Sequence, residues 1–281
     1  PPSIILILLG DVIGVPVGEL FIGAVVPGIM LILAYILYIV YVAWRHPHLA
    51  PAVRDDNPEL AALWISVLKS LLPPLLLIIA VLGSIFYGIA SPTESAAVGA
   101  LGSLILAALH RRLTLPNLRD AMEKTARLTS MVFLIFIGAT AFGLVFVGMG
   151  GDGLILDIFS GLPGGKWTFL VLSMLLIFIL GFFLDFIEIC FIVVPIIAPV
   201  AIHLNIDPLW FALLIAINLQ TSFLTPPFGF SLFYLKASAP PTLKLMDIYR
   251  GIMPFVGIQI IVLALLISFP AISLWLPNLM G

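Results

Sequence analysis

Two adjacent prolines, Pro226 and Pro227, lie in a part of the chain that is apolar enough to sit inside a membrane. Proline has no backbone N–H and its ring clashes with the preceding turn, so we predict that the pair interrupts a helix. At membrane depth, freed backbone groups are tolerated only where they are buried in protein or line a wet cavity. The polar residues just before the pair are Gln220, Thr221, Ser222 and Thr225.

Two interpretations of this stretch stay open from its residues. It can be a discontinuous membrane helix whose carbonyl and hydroxyl oxygens form part of an ion or substrate site. It can equally be a proline-kinked packing helix whose serine and threonine hydroxyls bond to their own preceding turn.

The composition indicates an integral membrane protein built from helices. Of the 281 residues, 62% are hydrophobic and 9% are charged, whereas soluble domains carry about 25% charged residues. Only helices and closed barrels satisfy their backbone in lipid, and the long apolar runs do not alternate as barrel strands do. We therefore expect an all-α fold, in which the single cysteine, Cys190, forms no internal disulfide.

The charge of the connections predicts how the chain crosses the membrane. Lysine and arginine concentrate in three connections, at residues 45–69, 111–127 and 236–250. The positive-inside rule places all three in the cytoplasm. The apolar runs expected to span are 20–44, 71–90, 96–109, 128–149, 206–234 and 252–275. Counting the crossings puts the three basic connections on the same side, as the rule requires.

The apolar stretch 167–204 is interrupted by two acidic residues, Asp185 and Glu188. It forms either a re-entrant hairpin with its tip near residues 181–188, or two short crossings with both acids solvated at the surface. Each arm has only about 17 residues, whereas a spanning helix needs about 20. Two prolines also fall in the second arm, as in broken helices, so we favour the hairpin.

An internal repeat relates the start of the chain to the region after the proline pair. Pro1-Pro2-Ser3 and Pro226-Pro227-Phe228 each precede a short apolar run, a turn and a long span with a proline near its start. The two long spans run in opposite directions in the predicted topology, which is the inverted symmetry of secondary transporters. The expected organisation is residues 1–44 as the end of a truncated first inverted repeat, 45–70 as a cytoplasmic connection, and 71–281 as the second repeat, with the hairpin at about 167–204 and a broken helix at about 206–235.

Three segments carry a family resemblance: Pro1-Pro2-Ser3, residues 91–100 (SPTESAAVGA) and residues 219–230 (LQTSFLTPPFGF). They resemble the large permease subunit of TRAP transporters (tripartite ATP-independent periplasmic transporters), and the likeness extends over nearly the whole chain. Residues 233–236 and 274–277 are most similar to the branch labelled mannitol/chloroaromatic.

This resemblance implies two inverted repeats, each with a hairpin, that work as an elevator in the bacterial inner membrane. It implies sodium-driven uptake of organic acids that a periplasmic binding protein delivers, with a small membrane subunit alongside. The family's N-terminal half, with its first hairpin, is missing here. We expect it either as a separate chain or as a part not included in this sequence.

Candidate site residues come from the interrupted segments and from the resemblance. Hard cations take oxygen ligands, interrupted helices offer carbonyl oxygens, and a charge at the bilayer centre costs about 2.5–3.5 kcal/mol unless it faces such a path. The predicted sodium positions are Gly181, Asp185, Thr225, Pro226 and Pro227. Residues expected in substrate contact or gating are Pro2, Ser3, Glu188, Gln220 and Ser222. Plainer roles stay open, with Asp185 as the acid of a surface turn and Glu188 as the partner of a basic residue.

The expected function is that of a subunit in a sodium-coupled secondary transporter. The alternatives are a different sodium-coupled anion transporter with similar hairpins, or a membrane scaffold subunit without its own transport path. The sequence carries no nucleotide-binding loop, dinucleotide fingerprint or nucleophile elbow. We therefore expect neither an enzyme nor a nucleic-acid partner.

Overall fold

The computed structural model describes residues 3–49, 60–161, 163–225, 230–239 and 244–280. The expectation of an all-α membrane protein is confirmed, because the regular structure of these residues is helical and six helices are long and apolar enough to cross a membrane. The helices of the first half are α1 (Ile4–Ile13), α2 (Val17–Gly23), α3 (Val25–Arg45), α4 (Leu60–Phe86), α5 (Pro92–Leu109), α6 (Leu115–Gly148) and α7 (Gly151–Ser160). Those of the second half are α8 (Lys166–Leu180), α9 (Phe186–Glu188), α10 (Val194–His203), α11 (Pro208–Leu224), α12 (Phe230–Ser238), α13 (Leu245–Ser268) and α14 (Ala271–Met280). A 3₁₀ turn covers Pro47–Leu49, and a π-helical segment, Ile189–Val193, joins α9 to α10.

The chain divides into two compact units. The described part of unit 1 lies between Ile39 and Met131, and unit 2 contains Ser3–Tyr38 together with Val132–Gly281. The boundaries predicted at residues 44, 70 and 71 were drawn from an internal repeat in the sequence. A division into compact units does not test such a repeat, so these boundaries stay a prediction.

Unit 1 is built around the antiparallel pair α4 and α5. Gly102 lies against Leu77, where an added Cβ would overlap the leucine side chain. Further along, the hydroxyls of Ser84 and Ser95 lie 2.8 Å apart. Most apolar side chains of these helices point outwards and are exposed, as expected for helices whose solvent is lipid.

Unit 2 is organised around α11, which is buried on nearly all sides. Twelve of its 17 residues are buried, and it packs against α1, α2, α8 and α13. A helix that is hydrophobic all round belongs in a protein interior. The polar residues near its C-terminal end therefore lie inside the protein.

Helix α11 ends shortly before the proline pair, where an interruption of the helix is predicted. The helix ends at Leu224, and Thr225 adopts an extended conformation with φ −102° and ψ 130°, which is the conformation favoured before a proline. The next helix begins at Phe230. The prolines themselves lie outside the described residues.

A second proline pair shows that such a pair does not always end a helix. Pro73 and Pro74 lie within α4, which continues through them. The carbonyls that lose their donors there belong to Lys69 and Ser70, two exposed polar residues in the first half of the helix.

Several predicted connections proved to be helical, which corrects their predicted boundaries. The basic stretch 111–127 is mostly the first part of α6, whereas the start of α4 at Leu60 agrees with the helix start that residues 58–60 predict. In α6, Arg119 pairs with Glu123 at 2.8 Å and Asp120 with Lys124 at 2.7 Å, a spacing that supports a helix. Loop charge predicts the side of the membrane and does not report secondary structure. The glycine-rich stretch 150–165 likewise contains α7, and the last predicted span ends at Ser268, after which α14 begins at Ala271.

Candidate functional site

Helices α8 and α11 run side by side in the same direction. Near their N-termini, the rings of Phe169 and Phe211 have centroids 5.9 Å apart. Further along, Asn218 on α11 donates from Nδ2 to the carbonyl of Met174 on α8 at 2.6 Å. The two helices therefore end at the same level, which brings the segment after α8 to the polar end of α11.

After α8, the chain turns and comes back, which is the geometry of a hairpin. Only four residues separate the end of α10 at His203 from the start of α11 at Pro208. Trp210, close to that start, contacts Trp167 at the beginning of α8, so α10 ends near the level at which α8 begins. At 1.5 Å per residue, the 15 residues of α8 span about 22 Å, and the hydrocarbon core is about 30 Å thick. The return arm, residues 186–203, is long and apolar enough to cross a membrane, so the choice between a re-entrant hairpin and two crossings stays a prediction.

The tip of the hairpin is held by two carboxylates that cap α9. Asp185 Oδ1 accepts from the N–H of Phe186 at 2.8 Å, and Glu188 Oε2 accepts from the N–H of Asp185 at 3.2 Å. In a continuous helix, these two N–H groups would donate to the carbonyls of Gly181 and Phe182. The carboxylates thus take the donors that would otherwise satisfy those carbonyls, and Glu188 has a helix-capping role.

The tip contacts α11 through Gly181 and Ser222. A Cβ added to Gly181 would overlap the Ser222 hydroxyl and would lie 2.6 Å from the Ser222 Cβ. The Ser222 hydroxyl itself donates to the carbonyl of Asn218 at 3.4 Å. The tip can approach α11 this closely because position 181 has no side chain.

A small cleft lies where the tip, the return arm and α11 meet. Its volume is about 10 Å³, which is room for about one water-sized species. The polar residues that line it include Asp185 and Ser222, and the ring centroids of Phe186 and Phe223 lie 5.5 Å apart beside them. The lining residues are Gly181, Leu184, Asp185, Phe186, Ile189, Leu219, Ser222 and Phe223.

The chemistry of this cleft fits a small hard cation. Sodium, like other hard cations, takes oxygen ligands, and the tip offers carbonyl, carboxylate and hydroxyl oxygens. The described residues contain no group of three or more His, Cys, Asp or Glu side chains placed to hold a metal ion.

The structure brings together some of the predicted site residues. Gly181, Asp185 and Ser222 share the cleft. Thr225 lies one turn beyond Ser222 at the end of α11, where its hydroxyl donates to the carbonyl of Thr221 at 2.7 Å and is buried. The tip meets α11 at Ser222, one turn before Thr225, while a meeting of the 181–185 tip with the break at residues 225–227 and the binding of sodium there stay predictions.

Other predicted residues lie outside the cleft. Gln220 is exposed on α11, and Ser3 precedes α1 in an extended conformation without a side-chain capping bond. Helix α1 nevertheless packs against α9 and α11, so its start belongs to the same unit as the cleft. Pro2, Pro226 and Pro227 lie outside the described residues.

Asn218 is a residue of the site region that the sequence analysis did not single out. It is fully buried, and its bond to Met174 holds α8 against α11, two helical turns before Gly181. Its Oδ1 atom is buried without a hydrogen-bond partner among the described residues. The sequence did contain a signal for this residue, since Asn218 is a single amide within the apolar run of α11. Buried polar side chains in membrane helices often hydrogen-bond to a neighbouring helix.

Comparison with known proteins identifies the family of this chain. Residues 1–272 match the family model described as "Tripartite ATP-independent periplasmic transporter, DctM component". The chain is similar to the sialic acid TRAP transporter permease protein SiaT of Haemophilus influenzae, with 30% identity over 100% of this chain and 44% of the relative. It is also similar to the sialic acid TRAP transporter large permease protein SiaM of Vibrio cholerae, with 30% identity over 99% of this chain and 64% of the relative.

A third relative is the C4-dicarboxylate TRAP transporter large permease protein DctM of Pseudomonas aeruginosa, with 31% identity over 100% of this chain and 64% of the relative. The chain spans about two fifths to two thirds of the length of these relatives. The matches cover this chain from end to end and leave part of each relative unmatched, and the expectation of an N-terminal half, as a separate chain or as a part not included in this sequence, stays a prediction. With six candidate spans, the chain is a multi-pass protein of the inner membrane, and it belongs to the DctM component family of the tripartite ATP-independent periplasmic transporters.

Proposed function

We propose that this chain is part of the large membrane subunit of a sodium-coupled secondary transporter that imports an organic acid. The observation that carries the proposal is the cleft between Asp185 at the hairpin tip and Ser222 on α11, in a chain of this transporter family. A periplasmic binding protein delivers the solute, and a small membrane subunit assembles with the chain, as the family description implies. Transport proceeds by an elevator movement of the part that carries the cleft.

The relatives support the class of solute. Two of them are named for sialic acid and one for C4-dicarboxylates, and both solutes carry carboxylate groups. A bound cation favours an anion nearby, because opposite charges attract strongly in a site of low dielectric constant. Coupling a carboxylate to sodium is therefore physically reasonable. The assignment to the mannitol/chloroaromatic branch stays a prediction.

The arrangement of the cleft supports sodium as the coupling ion. The tip carbonyls of Gly181 and Phe182 have lost their helical donors to the carboxylates of Asp185 and Glu188. Discontinuous helices of transporters use such carbonyls to coordinate sodium. The carboxylate of Asp185 adds a negative charge at the cleft wall, which favours a cation even without direct ligation.

Reconstituted uptake tests this function. The complete transporter, with its small subunit and binding protein, is placed in proteoliposomes, and uptake of labelled sialic acid and of a labelled C4-dicarboxylate is measured. An inward sodium gradient is expected to drive uptake of at least one of these acids, or of the solute that the binding protein carries. Replacing sodium by potassium, or omitting the binding protein, should abolish uptake, and ATP should have no effect.

The controls separate this function from its alternatives. Uptake that persists in potassium, or without the binding protein, contradicts the proposal. A scaffold subunit would leave uptake intact when the charge of Asp185 is removed, whereas the proposed site would not.

A further inference from the structure

Gln259 is an amide side chain that is fully buried within α13. Neither its Oε1 nor its Nε2 atom has a hydrogen-bond partner among the described residues. The remaining buried side chains of this helix are apolar: Ile248, Val256, Val262 and Leu266. Burying an amide without a hydrogen bond is strongly unfavourable, and at membrane depth bulk water does not satisfy it. A polar partner is therefore expected at Gln259.

Tyr35 on α3 carries a second polar group of this kind. Its hydroxyl is buried and lies beside the Gln259 side chain. The two side chains form no hydrogen bond of good geometry, since all three of their polar atoms lack a partner among the described residues. Both residues belong to unit 2. One hydroxyl and both ends of one amide thus lie together while their hydrogen-bonding capacity is unused.

Phe255 holds the Tyr35 ring next to α13. It lies one turn before Gln259, and its ring centroid is 5.2 Å from that of Tyr35 and 5.2 Å from that of Tyr38. Both contacts are edge-to-face, which is an arrangement that aromatic pairs prefer. The two tyrosines therefore clasp one phenylalanine, and this packing keeps the Tyr35 hydroxyl beside the amide.

The neighbouring helix α11 directs its own amide elsewhere. Helices α11 and α13 run antiparallel, since Trp210 near the start of α11 donates from Nε1 to the carbonyl of Leu266 near the end of α13 at 3.0 Å. Two turns from this bond, Gln259 lies at about the level of Ile217, which is apolar and shares the face of Trp210. The next residue, Asn218, donates to Met174 of α8. The missing partner of Gln259 is therefore expected on the side of Tyr35.

We propose that Tyr35 and Gln259 bind one internal water molecule that links α3 to α13. A buried water typically makes about three hydrogen bonds to polar groups that are otherwise unpartnered, and three such atoms lie together here. The water accepts from Nε2 and donates to Oε1 across one edge of the amide, and its third hydrogen bond is with the Tyr35 hydroxyl. This site does not depend on the proposed transport activity.

Radiolytic labelling of the whole protein tests the proposal, because hydroxyl radicals that form from a bound water oxidise the nearest aromatic rings. The detergent-solubilised protein receives a short X-ray pulse, and mass spectrometry measures the oxidation of each aromatic residue. We expect labelling of Tyr35 and Phe255 above that of Trp210, which is buried and whose indole N–H is already bonded. Gln259→Met keeps the length of the side chain and removes both polar atoms, so this labelling is expected to be lost.

Tyr38→Phe is the matched control, because Tyr38 packs on the same Phe255 ring. It should leave the labelling of Tyr35 and Phe255 as it is in the wild type. The proposal is overturned if the wild type labels these two residues no more than Trp210, which is the result expected from a direct bond between Tyr35 and Gln259. It is also overturned if Gln259→Met labels like the wild type, since the radicals then come from outside, or if Tyr38→Phe loses the labelling as Gln259→Met does.

Discussion

Gly181 at the hairpin tip lies directly against Ser222 on α11, with no room for a Cβ between them. This contact brings the tip carbonyls, which have lost their helical donors, to the polar end of the central helix. In membranes, helices approach most closely where small residues meet. The glycine therefore sets the distance between the two interrupted segments on which the proposed site depends.

Replacing Gly181 by alanine should separate the tip from α11. The added methyl group would overlap Ser222, and such overpacking typically costs about 1–3 kcal/mol. We expect a lower midpoint of thermal unfolding and a strong loss of sodium-driven uptake. Ser222→Gly in the same chain should restore part of the stability, because it removes the atoms that the methyl group meets.

A glycine with free space around it provides the control for that variant. Nothing lies within 4 Å of a Cβ built on Gly257 in α13. Gly257→Ala should be neutral or slightly stabilising, because alanine favours a helix by up to about 1 kcal/mol relative to glycine. If Gly181→Ala behaves as Gly257→Ala does, the close approach has no functional importance.

The bond between Asn218 and Met174 should stabilise the packing of α8 on α11. Asn218→Ala removes a buried donor that reaches the neighbouring helix at 2.6 Å, and such bonds in membrane proteins contribute about 0.6–2 kcal/mol. We expect the midpoint of thermal unfolding in detergent to fall by a few degrees. Thr221→Val is the matched control, because that buried hydroxyl bonds only to Ile217 of its own helix; an equal effect of both variants would contradict the interhelical role.

The sequence predicted the placement of interruptions better than it predicted helix ends. The end of α11 before the proline pair and the turn around Asp185 follow from local chemistry. A proline disfavours a helical conformation in the residue before it, and a carboxylate inside an apolar run must be hydrogen-bonded or face a polar path. The role of Glu188 as a cap for Asp185 could also be inferred from their spacing of three residues. The contact of Gly181 with Ser222 joins segments far apart in sequence, and no local pattern reports such a contact.

Topology can be tested with single cysteines and an impermeant maleimide on whole cells. The native Cys190 is buried, so its background labelling should be low. Arg112→Cys lies in a basic connection predicted to be cytoplasmic, and Asp152→Cys lies in α7, which is predicted to be on the opposite side. We expect ready labelling at position 152 and labelling at position 112 only after the membrane is permeabilised. The reverse pattern would contradict the predicted orientation.

The hydroxyl of Thr225 should contribute to the affinity for sodium. It donates to the carbonyl of Thr221 at 2.7 Å, which leaves its lone pairs available to a cation. Thr225→Val keeps the shape and removes this oxygen, so the sodium concentration for half-maximal uptake should rise by roughly ten-fold, the scale of a lost bond to a charged group. Thr140→Val in α6 removes a similar bond within one helix and should leave sodium affinity unchanged. Unchanged affinity in Thr225→Val would mean that the hydroxyl serves only the packing of its own helix.

The sodium dependence of uptake in Asp185→Asn tests the central proposal most directly. Asparagine caps a helix about as well as aspartate does, so the variant removes the charge at the cleft and keeps the capped tip. Asp207→Asn is the matched control, since Asp207 caps the other end of α11 by accepting from the N–H of Trp210 at 2.9 Å. We predict that Asp185→Asn raises the sodium concentration for half-maximal uptake by at least about ten-fold, the equivalent of 1.4 kcal/mol, and that Asp207→Asn leaves it unchanged. Equal sodium affinity in the wild type and Asp185→Asn would contradict a sodium site at the hairpin tip.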